Sequence, residues 1–352
     1  MKPTSGNVES EQHVIESQRI TTGGTLNEQS PTRTTRSLQT VLVCAAIFLS
    51  AAGVRILHWQ DNRQAVPFYG MTGEYKAHAL VLAGGDFRQF IYGPNPPSDA
   101  NVVKHPPGYP ILMAAVYKIF GTSDARLQLV HIFLDALAAL LVFFLALEML
   151  PTPAASVAGF LVAFSPQLAY HSIALLPDPL AAPTLLLAFY LLLRASKEAR
   201  LMTTLAAGAA VGVSCWLRSN ALLLPLFMAA LAPLLFARGQ RVRHAAAVLC
   251  AALLVIAPVT IRNAVAFKHF IPLSLSAGIT LVEGIGVYDR EGRFGLPSTD
   301  YEVTRWEARE LNRPDYLGTR FSPDGIERER FRVSRGLAVV RAHPFWFLKV
   351  ML

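Results

Sequence analysis

The sequence predicts an all-α protein, a polytopic bundle of transmembrane helices with extracytoplasmic juxtamembrane helices in its first loop. Of its 352 residues, 53% are apolar and only 16% are charged, whereas soluble domains average about 25% charged residues. The apolar residues are also grouped in runs close to the length of about 20 residues that crosses a bilayer. A chain of this composition cannot cover its surface with polar groups, which excludes an ordinary soluble protein.

The charge and cysteine content narrow the partners that the sequence predicts. A net charge of +8 would suit nucleic acid, but the positive residues cluster in short links between apolar runs. There they orient the spans, so membrane lipid is the predicted partner and nucleic acid is not. The three cysteines lie in apolar runs without a CxxC pair, which indicates neither disulfides nor a metal site.

The predicted spans follow from the apolar runs. A polar tail at residues 1–37 is predicted to be disordered and cytoplasmic, and it is too long and polar for the start of a secretory signal. The run Tyr109–Phe120 holds only about a dozen residues, so it is predicted to lie at the interface without crossing. The runs predicted to cross are Leu38–Leu57, Leu127–Leu150, Ala154–Ser172, Pro179–Leu193, Leu201–Leu217, Ala221–Phe236 and Ala245–Ile261.

The positive charges fix the predicted orientation of these spans. If the N-terminus is cytoplasmic, the basic loops 194–200 and 238–244 both face the cytoplasm, as the positive-inside rule requires. The first loop, 58–126, then lies on the extracytoplasmic side. Beyond the tail, the predicted domains are a transmembrane core at 38–263, an extracytoplasmic loop or small α-rich subdomain at 264–340, and the start of a further, incomplete span at 341–352.

Two polar motifs of the first loop are candidate site residues on this extracytoplasmic face. Glu74 begins a short amphipathic segment; its carboxylate could take a proton from an acceptor hydroxyl, or could be a solvated residue favoured by the helix dipole. Lys104 and His105 precede Pro106-Pro107, which hold the backbone extended. A cation fixed at that place suits a phosphate, although a plain turn into an interfacial helix accounts for it equally well.

Further polar residues stand where apolar runs end on the same face. Asp178, between two prolines, either faces a cavity or is a boundary carboxylate. Arg218 and Arg262-Asn263 each follow an apolar run; Arg suits phosphate binding, while a single Arg is commonly a snorkelling anchor. His131 and Asp135 are four residues apart inside a span, which favours an interhelical hydrogen bond over a proton relay.

Several landmarks occur in one order along residues 38–286. In these landmarks the sequence resembles the GT-C superfamily of integral-membrane glycosyltransferases. It most resembles the bacterial branch of protein O-mannosyltransferase-like and aminoarabinose-transferase-like enzymes. The landmarks are Glu74-Tyr75 with Ala79, His105-Pro-Pro-Gly-Tyr-Pro110, Phe120-Gly121 with Arg126-Leu127, Ser165-Pro166, Pro177-Asp178-Pro179-Leu180, Leu217-Arg218, and Ala257 to Asn263.

The resemblance implies a bacterial inner-membrane enzyme. It would move a sugar from a polyprenyl-phosphate carrier to an extracytoplasmic acceptor, which is a lipid, a glycan or a protein. In such chemistry an acid of the first loop deprotonates the acceptor and cations stabilise the leaving phosphate. Glu74 is thus the predicted base, and Asp178 would orient substrate or help to bind a divalent cation, the one cofactor considered. The predicted substrate contacts are Tyr75, Lys104, His105, Asp178, Arg218, Arg262 and Asn263.

The sequence departs from the family pattern in the first loop. Members usually carry an Asp a few residues before the Glu-Tyr pair, whereas here Met71-Thr72-Gly73 stands there. Glu74 must then serve as the base, or the chain is an inactive GT-C relative. A polytopic transporter or lipid flippase is the other alternative, and it would predict internal repeats or charges near mid-span.

Overall fold

The computed structural model describes residues 33–62, 69–94 and 100–351, of which 79% are helical. No strand occurs within these ranges. The predicted fold class, an all-α bundle of membrane helices, is therefore confirmed. The chain divides into two units, residues 1–43 and 44–352. The first holds the beginning of helix α1, and the polar tail predicted before it lies mostly outside the described residues.

The helices are connected by short turns. Short 3₁₀ turns lie at Ala100–Val103, Ser219–Leu223 and Pro314–Tyr316. In chain order the helices are α1 (Arg33–Asn62), α2 (Tyr69–Ala83), α3 (Phe87–Tyr92), α4 (Gly108–Phe120), α5 (Asp124–Leu147), α6 (Thr152–Ala163), α7 (Pro166–Ser172), α8 (Asp178–Glu198), α9 (Leu201–Leu217), α10 (Leu224–Ala230), α11 (Ala232–Leu235), α12 (Arg241–Phe267), α13 (Ala277–Tyr288), α14 (Asp300–Glu310), α15 (Gly325–Ala342) and α16 (Pro344–Met351).

Among the described residues, α1, α5, α8 and α12 are long and apolar enough to cross a membrane. Two predicted spans are broken instead, because proline supplies no amide and starts a new helix readily. The run 154–172 divides into α6 and α7 at Pro166, where the Ser165 hydroxyl accepts from the Leu168 amide at 3.4 Å. The run 221–236 divides at Pro225 and Pro233.

Helix α4 has 13 residues, which at 1.5 Å per residue extend for only about 20 Å. The hydrocarbon core is about 30 Å thick. One side of α4 is buried, including Tyr109, Met113 and Tyr117, while Ile119 at its end is 72% exposed. This length and burial fit the predicted position of the segment at the interface.

Helix α9 packs closely against its neighbours because small residues line it. A Cβ atom added at Gly208 would lie 2.4 Å from the Val248 carbonyl oxygen of α12, so only glycine allows this approach of the two backbones. Thr204 and His244 also form a hydrogen bond of 2.7 Å between the first turns of α9 and α12. The two helices therefore start at the same end of the bundle.

The predicted basic loops and the predicted site residues lie at opposite ends of the bundle. Lys197 Nζ donates to Glu148 Oε2 at 2.8 Å, which joins the ends of α5 and α8. Because α8 has 21 residues, it carries the chain about 30 Å from Asp178 to that basic end. The predicted basic loops 194–200 and 238–244 thus share one end, and Asp178 and Arg218 lie at the other. Which end faces the cytoplasm stays a prediction.

A buried ion pair connects helices inside the bundle. Arg55 Nε donates to Asp135 Oδ2 at 2.5 Å, and the Arg55 guanidinium also donates to the carbonyl oxygens of Ala51 and Ala163. His131 Nε2 lies 3.2 Å from the Tyr109 hydroxyl. His131 and Asp135 of α5 therefore both make interhelical contacts, as their spacing favours.

The helices after α12 are held by a buried charge cluster. Glu307 of α14 accepts from Arg328 Nη2 at 2.7 Å and from Arg332 Nε at 2.6 Å, and all three side chains are fully buried. Arg332 also donates to the Arg320 carbonyl oxygen at 2.6 Å. The bond to Arg320 holds the segment whose residues Arg320 and Phe321 line the cavity described in the next section.

Candidate active site

A cavity of about 500 Å³ lies at the end of the bundle where α9 ends. Small-molecule sites commonly have volumes of about 300–1,000 Å³. Its walls come from α2, the turn before α4, the end of α9, the segment after α12, and α13. The polar residues that line it are Tyr75, Lys104, His105, Arg218, Ser219, Asn220, Ser274, Ser276, Thr280, Glu283, Asp300 and Arg320, and the apolar ones are Met71, Pro106, Leu222, Pro272, Leu273, Ala277, Ile279 and Phe321.

Gly108 brings the turn before α4 against the end of α9. A Cβ atom at this position would lie 2.5 Å from the Trp216 carbonyl oxygen, closer than side chains and backbone normally approach. Lys104 and His105 precede Gly108 in the same turn, and Arg218 follows Trp216. The absence of a side chain at Gly108 therefore allows Lys104, His105 and Arg218 to line one cavity.

We expect Gly108→Ala to lower the free energy of unfolding by about 1–3 kcal/mol, the usual cost of forcing extra volume into a packed site. The backbone of Trp216 cannot move aside as a flexible side chain would. Thermal unfolding of the purified protein measures the effect. Gly73→Ala is the matched control, because no atom lies within 4 Å of a Cβ added there. An equal stability of both variants would contradict this role for Gly108.

Glu74 contacts two side chains of the turn. Lys104 Nζ donates to Glu74 Oε1 at 2.6 Å, and His105 Nε2 lies 3.1 Å from Glu74 Oε2. The hydrogen bond with His105, followed by the bond and charge of Lys104, lowers the pKa of Glu74 to about 2. Glu74 is therefore ionised at neutral pH, and it holds both side chains in place.

Tyr75 packs against the same turn. Its ring lies 4.7 Å from the His105 ring and 5.1 Å from the Tyr109 ring, between centroids. Burial raises the pKa of Tyr75 to about 12. Its hydroxyl therefore keeps its proton at neutral pH and can donate a hydrogen bond into the cavity that it lines.

Arg218 and Asp178 meet at this end of the bundle. Arg218 Nη2 lies 3.2 Å from Asp178 Oδ1, and both side chains are partly exposed. An exposed pair of this kind adds little stability. The guanidinium has five N–H donors, so Arg218 can bind an anion in the cavity while it stays paired with Asp178.

Arg262 and Asn263 are not among the residues that line the cavity. Arg262 Nη1 donates to the Ile91 carbonyl oxygen at 3.3 Å. Asn263 is fully buried, and its amide donates to the carbonyl oxygens of Ile271 and Leu273. Asn263 thus shapes the wall formed by the segment after α12, and direct substrate contacts by these two residues stay predictions.

Three charged residues of the cavity were missed by sequence reasoning. Glu283 comes from α13, Asp300 from the first residue of α14, and Arg320 from the segment before α15. Asp300 and Arg320 form an ion pair. These residues lie in a stretch of mixed charges without a motif, so no spacing pattern distinguishes them from solvated neighbours. Met71, at the position where the family usually has an acid, also lines the cavity.

The described ranges contain no group of three or more His, Cys, Asp or Glu residues that could hold a metal ion. In the cavity, the carboxylates of Glu283 and Asp300 stand beside Arg320 rather than around an open centre. The divalent cation considered from the sequence therefore stays a prediction, and no step below depends on it.

Comparison with known families finds a match. Residues 104–261 match the family model described as dolichyl-phosphate-mannose-protein mannosyltransferase, and no curated protein matches the chain. The match includes Lys104, His105, Asp178 and Arg218. With the long apolar helices, it indicates a multi-pass membrane protein. Over residues 104–261 the chain is thus similar to a family of the GT-C superfamily of membrane glycosyltransferases.

Proposed function

We propose that the protein transfers a sugar from a polyprenyl-phosphate carrier to an acceptor on the extracytoplasmic side of a bacterial inner membrane. One observation carries this proposal: Lys104, His105 and Arg218 line a single cavity at the end of an apolar bundle. A site for a lipid phosphate needs cations at the depth of the headgroups and apolar surface beside them. The family match supports the reaction class.

The cations of the cavity suit the leaving group of this reaction. As the acceptor oxygen attacks the anomeric carbon, the bond from that carbon to the phosphate oxygen breaks, and its electron pair stays with the phosphate. The phosphate changes from a singly charged diester to a doubly charged monoester. Lys104 and Arg218 are placed to stabilise this added charge, which is the main task of catalysis in such transfers.

An apolar surface suited to the polyprenyl chain begins at the same cavity. Leu222 lines the cavity, and the residues that follow are largely exposed, with Leu223 at 71%, Leu226 at 57% and Phe227 at 54%. In a membrane these side chains would face the lipid. The prenyl chain can therefore lie along α10 while its phosphate enters the cavity.

The resemblance implies that Glu74 is the base, and this role can be tested directly. A carboxylate with a pKa near 2 is a weak proton acceptor at neutral pH, because general bases work best when their pKa is near the operating pH. We therefore expect Glu74→Gln to change mainly the KM for the donor. Its kcat should fall by less than the ~10²-fold that loss of a base costs at minimum.

Sugar transfer from a labelled polyprenyl-phosphate donor, measured with purified wild-type and Glu74→Gln protein, tests both the proposed function and the role of Glu74. Transfer by the wild type supports the proposed function, and complete absence of transfer with folded protein contradicts it. A fall in kcat beyond ~10²-fold with an unchanged KM would identify Glu74 as the base, as the family resemblance implies. Glu302→Gln, on the exposed side of α14, is the control.

A further inference from the structure

The cavity has a second wall that carries carboxyl groups. Glu283 of α13 and Asp300 at the start of α14 line the same cavity as Lys104, His105 and Arg218. A donor whose phosphate meets the cations leaves the rest of the cavity for the acceptor. The acceptor therefore approaches the wall that holds Glu283 and Asp300.

The two carboxyl groups and Arg320 line the same wall of the cavity. Glu283 and Asp300 are near enough to interact, and two adjacent carboxylates resist carrying two charges. Asp300 forms an ion pair with Arg320. Burial first, and then the hydrogen bond and charge of Asp300, raise the pKa of Glu283 to about 7. Glu283 can thus both accept and release a proton at neutral pH.

Glu283 suits proton transfer better than the acids of the first loop. Glu74 is bound to Lys104 and His105, and it is not among the residues that line the cavity. Met71 lines the cavity but has no group that accepts a proton. Among the carboxyl groups that line the cavity, Glu283 is the more buried, since Asp300 is 52% exposed.

We propose that Glu283 is the catalytic base of the sugar transfer proposed above, with Asp300 as its positioning partner. The inference rests on that function and assigns the acceptor as a hydroxyl compound. A Glu283 carboxylate oxygen takes the hydroxyl proton while the acceptor oxygen bonds to the anomeric carbon. The carbon–oxygen bond to the phosphate breaks, its electron pair stays on the phosphate, and the proton ends on Glu283.

The test uses the full-length protein in nanodiscs with a labelled polyprenyl-phosphate sugar, and it measures donor binding and single-turnover transfer separately. We expect Glu283→Gln to bind the donor as the wild type does but to transfer its sugar about 10²–10⁴-fold more slowly, the usual effect of losing a base. Glu327→Gln, an exposed position on α15, is the matched control and should transfer at the wild-type rate.

The pH profile separates a base from a structural residue. The groups that face Glu283 are Asp300, Arg320 and Arg332, with Lys104, His105 and Arg218 on the other wall of the cavity. Asp300→Asn removes the like charge that raises the pKa of Glu283. We therefore expect the rate in this variant to begin rising at a lower pH than in the wild type.

The outcomes distinguish this inference from the proposed function. If the wild type transfers sugar and Glu283→Gln transfers it equally fast, the inference is wrong and the function stands. If Glu283→Gln loses donor binding, the pH profile of the transfer rate in Asp300→Asn decides whether Glu283 is the base. A profile that is not shifted from that of the wild type overturns the inference. If the wild type neither binds the donor nor transfers its sugar, both proposals are wrong.

Discussion

Glu307→Ala is expected to lower the free energy of unfolding of the helices after α12 by about 3–5 kcal/mol, the usual cost of leaving a buried charge without its partner. Glu307 is the carboxylate that pairs with both Arg328 and Arg332, and the three side chains are fully buried. Without Glu307, two guanidinium groups would be close together inside the protein. Their repulsion adds to the cost of their burial.

Thermal unfolding and limited proteolysis of residues 268–351 measure this effect. Glu310→Ala is the control, because its ion pair with Arg335 lies at the surface and should contribute at most about 1 kcal/mol. The shape of the cavity should also change, because Arg332 binds the carbonyl oxygen of Arg320, which lines the cavity. A variant of Glu307 as stable as that of Glu310 would show that the cluster does not hold these helices.

Arg218→Ala is expected to lower sugar transfer by about 10²–10³-fold, the range found when one preorganised group that stabilises developing charge is removed. Arg218 lines the cavity, and its planar guanidinium can donate two hydrogen bonds to one phosphate. Arg218→Lys keeps the charge without this geometry, so we expect it to recover only part of the rate.

The transfer rate should be compared with that of Arg330→Ala, whose side chain is 66% exposed on α15. This control removes an Arg without reaching the cavity and should leave the rate unchanged. Thermal unfolding should show both proteins folded, because the pair of Arg218 with Asp178 is partly exposed and adds little stability. A folded Arg218→Ala variant with the wild-type rate would remove Arg218 from the proposed mechanism.

The apolar runs predicted α5, α8 and α12 well, although α8 contains Pro183 and α12 contains Pro258. The runs that became α5, α8 and α12 are recognisable by length alone, and the all-α class follows from them. The runs containing Pro166, Pro225 and Pro233 also fulfil the apolar criterion, yet they form stacked shorter helices. Composition measures how well a segment dissolves in lipid. It does not show which proline ends a helix, because membrane helices tolerate some internal prolines.

The candidate site could be predicted only where local chemistry marks it. Lys104 and His105 stand beside paired prolines, and Arg218 ends an apolar run, so their positions show in the sequence. Glu283 and Asp300 have no such signal, because they reach the cavity only through the packing of α13 and α14. Asn263 was predicted to be a site residue because it ends an apolar run, but its amide donates to the backbone carbonyl oxygens of Ile271 and Leu273.

We expect the cavity between the first loop and α13 to bind the phosphate of a polyprenyl carrier. Photo-crosslinking measures this most directly, with a polyprenyl phosphate that carries a photoreactive group next to its phosphate. Mass spectrometry of the labelled protein should place the label on residues that line the cavity, such as Met71, Leu222 and Pro272, and excess unlabelled polyprenyl phosphate should remove it. Labelling confined to outward lipid-facing residues such as Leu254, or to the basic loop at 194–200, would contradict the claim.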